Sequence, residues 1–124
     1  MTTLFVDIGD SFEQIASVEH ENGQPYPLDS CILWFTVTPQ FGAPDSGAVI
    51  KNYWQDGGGA TGIEVQLPEL GQVIVSMTPE QTAQLETRAY CWDLQLDDAW
   101  GRIVTIDRGV LVARWSPTTR TTTP

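Results

Sequence analysis

The sequence contains one histidine, two cysteines and no long apolar run. His20 is the only side chain available as an imidazole base, and its position between Glu19 and Glu21 is typical of a polar surface turn. The sequence has no Cys-x-x-Cys, no histidine pair and no Asp-x-Asp-x-Asp-Gly loop, which are the usual patterns of zinc and calcium sites. We therefore expect no catalytic residue, no cofactor and no metal ion.

Basic residues are also scarce. Six Lys and Arg stand against sixteen Asp and Glu, which gives a formal net charge of -10 and a pI near 4.1. Such a chain repels phosphate backbones and anionic lipid headgroups, so nucleic acids and membranes are poor candidates for partners. The same field attracts basic protein surfaces, although acidity also serves solubility in general.

No segment approaches the roughly 20 apolar residues that span a bilayer, and residues 1–7 lack the basic start and apolar core of a signal peptide. We expect a protein that is made and folded in a cytoplasm. In that reducing compartment, Cys31 and Cys91 are expected to be two thiols without a disulfide between them.

Two local patterns have both a chemical and a structural interpretation. Asp97 and Asp98 could share a calcium ion, but adjacent carboxylates in a hairpin are usually a solvated turn. Gly57, Gly59 and Gly62 have the spacing of a dinucleotide-binding loop, yet residues 63–67 alternate as a strand where that motif requires a helix. We interpret both patterns as loops.

An alternation with a period of two residues runs through most of the chain and predicts half-buried strands. In the clearest segment, Tyr90, Trp92, Leu94 and Leu96 share one face, and a one-residue slip would bury two aspartates. Further strands are predicted at residues 4–8, 12–18, 31–38, 63–67, 72–77, 102–107 and 110–115, with a weaker candidate at 48–54. Turn-forming residues separate the strands closely enough to favour antiparallel hairpins.

This pattern predicts an all-β fold, specifically an immunoglobulin-like antiparallel β-sandwich of about 7–9 strands. The single helical signal lies near residues 79–85, where Thr78, Pro79 and Gln81 form a capping-box sequence. Residues 1–115 are predicted to form the sandwich domain. Residues 116–124 form an extended Thr/Pro-rich C-terminal tail with nothing to bury, which we expect to be loose in isolation and held by a neighbouring subunit in an assembly.

The order of turns and strands resembles that of small tailed-bacteriophage virion proteins, in particular the N-terminal domain of baseplate upper proteins. The resemblance spans nearly the whole chain and rests on order and spacing. Its parts are Gly9-Asp10-Ser11-Phe12, Pro27-Leu28-Asp29 with the strand 33–37, the strand 71–77 with Thr78-Pro79-Glu80-Gln81-Thr82, and Tyr90 with Asp93-Leu94-Gln95-Leu96-Asp97, Gly101-Arg102 and Arg108-Gly109. The chain departs from the pattern at Trp100, where the family's hairpin usually carries an acidic residue, and in the loop from Pro39 to Asp56.

The resemblance implies a non-enzymatic structural subunit of a virion, associated with the tail or baseplate or decorating the capsid as a cement protein. Its implied partners are other virion structural proteins and copies of itself, and its implied location is the virion after assembly in the host bacterial cytoplasm.

Five tryptophans are an unusual number for 124 residues. Trp92 shares the apolar face of its predicted strand and is interpreted as core. The others, together with Arg120 of the tail, are candidates for contacts with other proteins, because exposed Trp and Arg often anchor interfaces: Trp34, Trp54, Trp100 and Trp115. Capping of the core by a tryptophan near a strand end is an equally good explanation of each ring. A sugar-binding platform, which would make the protein an adhesin-like module, is the alternative function, and a glycan-cleaving enzyme ranks last.

Overall fold

The computed structural model describes residues 2–20, 22–40 and 47–115. Within these ranges nine strands form two sheets around one core: β1 (Thr2–Asp7), β2 (Phe12–Ser17), β3 (Ile32–Thr38), β4 (Ile50–Gln55), β5 (Ala60–Thr61), β6 (Ile63–Glu64), β7 (Gln72–Met77), β8 (Arg88–Asp97) and β9 (Ile103–Arg114). A 3-10 turn spans Pro68–Leu70, and one turn of α-helix, α1, spans Pro79–Thr82. The predicted all-β sandwich with a short helical turn near residues 79–85 is confirmed.

The larger sheet has the strand order β1-β9-β8-β3-β4-β5, and the smaller sheet has the order β2-β7-β6. This arrangement corresponds to the variable type of immunoglobulin domain, in which two extra strands extend the sheet that contains the last strand. Every pair in the two sheets is antiparallel except β1 and β9, which run parallel. The prediction of antiparallel pairing is wrong for β1 and β9. β1 lies in the large sheet beside the last strand, β9, and does not pair with β2, the strand that follows it along the chain.

The core follows the alternation of β3 and β8. Phe35 of β3 packs against Trp92 of β8, with ring centroids 5.9 Å apart, and both side chains are buried as predicted for Trp92. Two residues earlier, the Tyr90 hydroxyl accepts a hydrogen bond from the Glu86 backbone N–H at 2.8 Å. That bond is the tyrosine corner of immunoglobulin-like domains. The indole N–H of Trp92 donates to the Thr2 carbonyl at 3.1 Å, which fixes the start of β1.

The capping box at α1 is present, because Thr78 and Gln81 exchange two hydrogen bonds of 3.1 Å each. Gln81 also donates from Nε2 to the fully buried Asn52 at 2.8 Å, and Asn52 donates to the Ser76 carbonyl at 2.8 Å. These bonds satisfy a polar side chain at an inward position of β4. They explain why the alternation of residues 48–54 is blurred although β4 is a true strand.

Two predicted boundaries are wrong. The strand predicted at 63–67 ends at Glu64, because Leu67 caps the following 3-10 turn. The strands predicted at 102–107 and 110–115 form the single strand β9, which continues through Gly109. A Cβ at Gly109 would overlap the Thr2 carbonyl oxygen, so this glycine permits the close approach of β1 and does not break the strand. Ile106 is an extra residue in the pairing of β8 with β9 and forms a bulge.

Cys31 and Cys91 form no disulfide with each other. Cys91 pairs with Thr38 at one end of β3, whereas Cys31 directly precedes the other end, so the two lie roughly 20 Å apart. Burial raises the pKa of the Cys31 thiol, and the carboxylates of Asp98, Asp29 and Asp56 raise it further. The Cys31 thiol is therefore protonated at neutral pH.

Candidate functional site

Three connections meet at one end of the sandwich, which we call the loop end: residues 18–31, 56–59 and 98–102, of which residue 21 lies outside the described ranges. The register brings them together, because Ile32 pairs with both Gln55 and Asp97. The Ser30 N–H donates to Asp56 Oδ2 at 2.8 Å, which joins the first loop to the second. The corresponding three loops of variable-type domains form their binding surface, so the loop end is the first candidate site.

A buried carboxylate holds the hairpin of residues 98–102. The Asp98 side chain is only 1% exposed and accepts hydrogen bonds from the backbone N–H groups of Trp100 and Arg102, both at 2.9 Å, and from Arg102 Nε at 2.7 Å. The prediction of a turn at residues 97–101 is confirmed. The prediction of a solvated carboxylate is wrong for Asp98, because the turn folds its own donors around that side chain.

The pKa of Asp98 reflects this arrangement. Burial by itself raises the pKa of the carboxyl, but the hydrogen bonds from Arg102 and Trp100, together with the charge of Arg102, lower it further than burial raises it. The net pKa lies below the ordinary value, so Asp98 is ionised at neutral pH. The hairpin is thus held by a charge-assisted pair and two backbone bonds, which makes it a rigid support for its tip.

Trp100 occupies that tip and is 81% exposed. Ile103 and Val104, at the start of β9, are also exposed. A large aromatic side chain on a preorganised loop can bury its area in a partner at little cost in conformational entropy. The loop end therefore presents one apolar anchor to its surroundings.

Trp115 lies just beyond β9 and is 69% exposed. The full length of β9, 12 residues, separates it from the loop end, which corresponds to roughly 40 Å. Trp100 and Trp115 therefore cannot contact the same small ligand. Arg120 and the rest of the predicted tail, 116–124, lie outside the described residues.

Trp34 and Trp54 are half-buried. Trp34 lies on the outer face of β3, where its Nε1 donates to Asp97 Oδ2 at 3.4 Å and Lys51 Nζ lies 4.9 Å from its ring centroid. Tyr53 packs beside it, with ring centroids 5.6 Å apart. Trp54 lies on β4 and packs against the core. Of the four predicted contact tryptophans, the structure leaves Trp100 and Trp115 exposed and brings no two of the four together.

A second candidate site, which sequence reasoning missed, is a crevice of about 220 Å³ between the two sheets. We call it the open side. Its walls are residues 14–17 of β2 and Ile106 and Asp107 of β9, and its floor is the core: Phe35, Val75, Trp92 and Leu94. The available signal was Gln14, a polar residue that lines the crevice because it pairs with the inward-facing Val75.

The remaining patterns lie where the sequence predicts loops. His20 is exposed in its turn, and its ring packs on Tyr26 at a centroid distance of 4.8 Å. Gly57 and Gly59 lie in the connection from β4 to β5, and Gly62 directly precedes β6, so strands follow this segment. Among the described residues, no group of three or more His, Cys, Asp and Glu side chains is arranged to hold a metal ion, and no helix is long and apolar enough to cross a membrane.

Comparison of the chain with protein-family models and with curated proteins found no match. The resemblance to baseplate upper proteins stays a prediction.

Proposed function

We propose that this protein is a non-enzymatic structural subunit of a tailed-phage virion, associated with the tail or baseplate or decorating the capsid, and that it acts through protein–protein contacts. The observation that carries the proposal is the Trp100 ring, which projects from a hairpin that Asp98 holds in place. Exposed tryptophans on rigid supports are typical anchors of interfaces, where truncation of one such ring costs about 2 kcal/mol or more.

The position of Trp115 supports the same proposal. Within the described residues, an exposed tryptophan lies at each end of a strand of roughly 40 Å, and such a domain is suited to contact two neighbours at once, as a subunit of a repeating assembly does. The net charge of -10 favours neighbours with basic surfaces.

Trp100→Ala tests the proposal in particles of a phage that carries this chain. We expect incorporation into purified virions, measured by quantitative immunoblot, to require about 30-fold more protein, which corresponds to the loss of one anchor of about 2 kcal/mol. Trp100→Tyr is the matched control, since it keeps an aromatic ring and should retain most of the incorporation. Absence of the wild-type chain from purified virions would refute the proposal, and so would equal incorporation of Trp100→Ala.

A carbohydrate-binding module is the second candidate, because the open face of Trp100 can also stack on a sugar ring. The carbohydrate-binding function predicts that the protein binds sugars on a glycan array and that Trp54→Ala or Trp100→Ala abolishes this binding. It also predicts that incorporation of these variants into particles is unchanged. The protein-contact function predicts the opposite result in both measurements.

A further inference from the structure

The outer face of the smaller sheet presents apolar side chains to solvent. Ile15 of β2 pairs with Ile74 of the central strand β7, and both point outward, since the neighbouring Val75 is buried in the core. Ile15 is 62% exposed, and Leu67 and Leu70, which precede and end the 3-10 turn, are 51% and 50% exposed. We call Ile15, Leu67, Leu70 and Ile74 the outer patch. Apolar residues grouped in this way on a surface are typical of a contact with another molecule.

A shallow depression of about 30 Å³ connects Ile74 with the 3-10 turn. It is lined by three apolar and three polar residues: Leu67, Leu70, Ile74, Glu64, Gln66 and Gln72. Binding pockets for whole small molecules measure about 300–1,000 Å³, so this depression has room only for the end of one side chain. The outer patch therefore suits a macromolecular partner that inserts an aliphatic group, and a small-molecule ligand is a poor fit.

The charged side chains of the smaller sheet and its 3-10 turn are all carboxylates. Glu64 lies directly opposite Ile74 in the pairing of β6 with β7, and Glu13 lies two residues before Ile15 on the same face of β2. Glu69 lies within the turn. No Lys, Arg or His occurs in residues 1–19 or 52–87, which include all three strands of this sheet and the turn. The outer patch is thus an apolar surface flanked by negative charge.

Charge selects among the partners that an apolar surface attracts. The carboxylates repel nucleic acids and anionic lipid headgroups. A second copy that docked with the same face would bring Glu13 and Glu64 close to their own counterparts, and like charges in an interface oppose association. A basic protein segment lays aliphatic side chains on the outer patch and pairs its Lys or Arg side chains with the carboxylates, so it matches both features of the surface.

We propose that the outer patch docks a basic segment of another protein, in which Lys or Arg residues flank one or two aliphatic side chains. One aliphatic side chain enters the depression beside Ile74. The flanking cations pair with Glu13 and Glu64, which lie on opposite sides of β7 because this strand runs between β2 and β6. None of these residues belongs to β9 or to the hairpin of Trp100, so the outer patch is a docking surface additional to the contact in the proposed function.

The test is a titration of the full chain with a capped hexapeptide, Lys-Lys-Ile-Leu-Lys-Lys, followed by the NMR chemical shifts of the backbone amides. We expect a dissociation constant of about 0.1–1 mM and the largest shifts at Ile15, Glu64 and Ile74. A peptide with Glu in place of each Lys should not bind. A peptide with Ser in place of Ile and Leu should bind at least fivefold more weakly. Raising the ionic strength from about 0.05 M to about 0.5 M should weaken binding of the basic peptide, because the paired charges are exposed.

Paired variants of the protein locate the site. Glu13→Gln combined with Glu64→Gln should weaken peptide binding at least fivefold. Asp7→Asn combined with Asp93→Asn is the matched control, since it removes the same charge from the outer face of the larger sheet, and it should change binding less than twofold.

The apolar contact is tested in the same way. Ile15→Ser should weaken peptide binding at least fivefold, whereas Phe5→Ser, at an exposed ring on the larger sheet, should not. Both side chains are more than half exposed, so both variants should give the amide spectrum of a folded domain.

Four results would overturn the proposal. The first is the absence of shifts at the outer patch at peptide concentrations up to about 5 mM. The second is equal binding of the basic and the acidic peptide. The third is an equal loss of binding in the carboxylate pair and in its control. The fourth is a dependence of the outer-patch shifts on protein concentration without peptide, which would identify a second copy as the occupant. None of these measurements involves particles, so their failure leaves the virion function to its own test.

Discussion

The two halves of β9 differ in what covers them. The lower half, from Gly109 to Arg114, lies between β8 and β1, and its inward residues Leu111 and Ala113 are almost completely buried. The upper half, residues 103–108, pairs only with β8 among the described strands, and Ile103 and Val104 are 68% and 42% exposed. Residues 103–108 contain four β-branched residues and residues 109–114 contain two, so strand propensity does not explain why the upper half is less covered.

The comparison shows that a strand's exposure depends on its neighbours more than on its own sequence. The lower half is paired on both sides by strands of the same chain, β1 and β8, and its buried residues contribute to the stability of the fold. Within the part of the chain that the structure describes, no strand pairs with the outer edges of the upper half and of β2. Natural proteins normally cover such edges, because open edges pair indiscriminately. Under the proposed function, the upper half is a surface available for contacts between subunits.

Gly109→Val should have the largest effect, because it removes the cover from the lower half. The new side chain overlaps the Thr2 carbonyl and pushes β1 away from β9. We expect the free energy of unfolding in denaturant to fall by about 3 kcal/mol and the β1 amides to exchange faster. Gly47→Ala is the control, since a Cβ there meets no atom within 4 Å, and a change of less than about 0.5 kcal/mol is expected. Unchanged exchange in β1 would show that the glycine is not needed for the close approach.

Asp98→Asn should weaken the hydrogen bonds that hold the hairpin of residues 98–102 next to the upper half of β9. It should also make the free energy of unfolding depend less on pH in the acid range. The folded pKa of Asp98 is below its ordinary value, so its ionised form stabilises the fold fully above about pH 4, and that stability is lost as the pH falls through the folded pKa. Unfolding followed between pH 7 and pH 2 should show a smaller loss in Asp98→Asn than in the wild type. Asp29→Asn, an exposed carboxylate at the same end, controls for the loss of one charge. Identical acid curves for the wild type and Asp98→Asn would contradict the assignment.

Tyr90→Phe tests the lower half, where Tyr90 faces Leu111 of β9. The substitution removes the acceptor of the Glu86 N–H, and we expect a loss of about 1–2 kcal/mol in the free energy of unfolding. Tyr53→Phe on the outer face is the control and should change stability by less than about 0.5 kcal/mol. Equal effects of the two substitutions would mean that the tyrosine corner does not stabilise this domain.

Trp100→Ala should have the smallest effect on the isolated domain. The ring is 81% exposed, so thermal unfolding should change by less than about 0.5 kcal/mol, even though binding to a partner is weakened strongly. A large loss of stability would show that the ring belongs to the core of the hairpin and is not an anchor for other proteins.

The alternation of residues predicted the fold class and the inward faces of β3 and β8, because burial on one side of a strand constrains every second residue. The spacing of Thr78, Pro79 and Gln81 predicted the capping box, which is likewise a local feature of the sequence. The alternation did not predict that Asp98 is buried, since this requires three donors that the turn brings together. The contact candidates Trp34 and Trp54 could not be separated from Trp100 by sequence, because the exposure of each ring depends on strands that are distant along the chain.

The amino-acid sequence by itself determined which residues alternate, where the chain turns and how acidic the protein is, since these follow from side-chain chemistry over a few neighbouring residues. Only the tertiary structure decided that β1 runs parallel to β9 and pairs with it from Gly109 onward. It also decided that β2 and residues 106–107 of β9 face each other across an open crevice. Those features depend on which edges meet in space, and local periodicity carries no information about that choice.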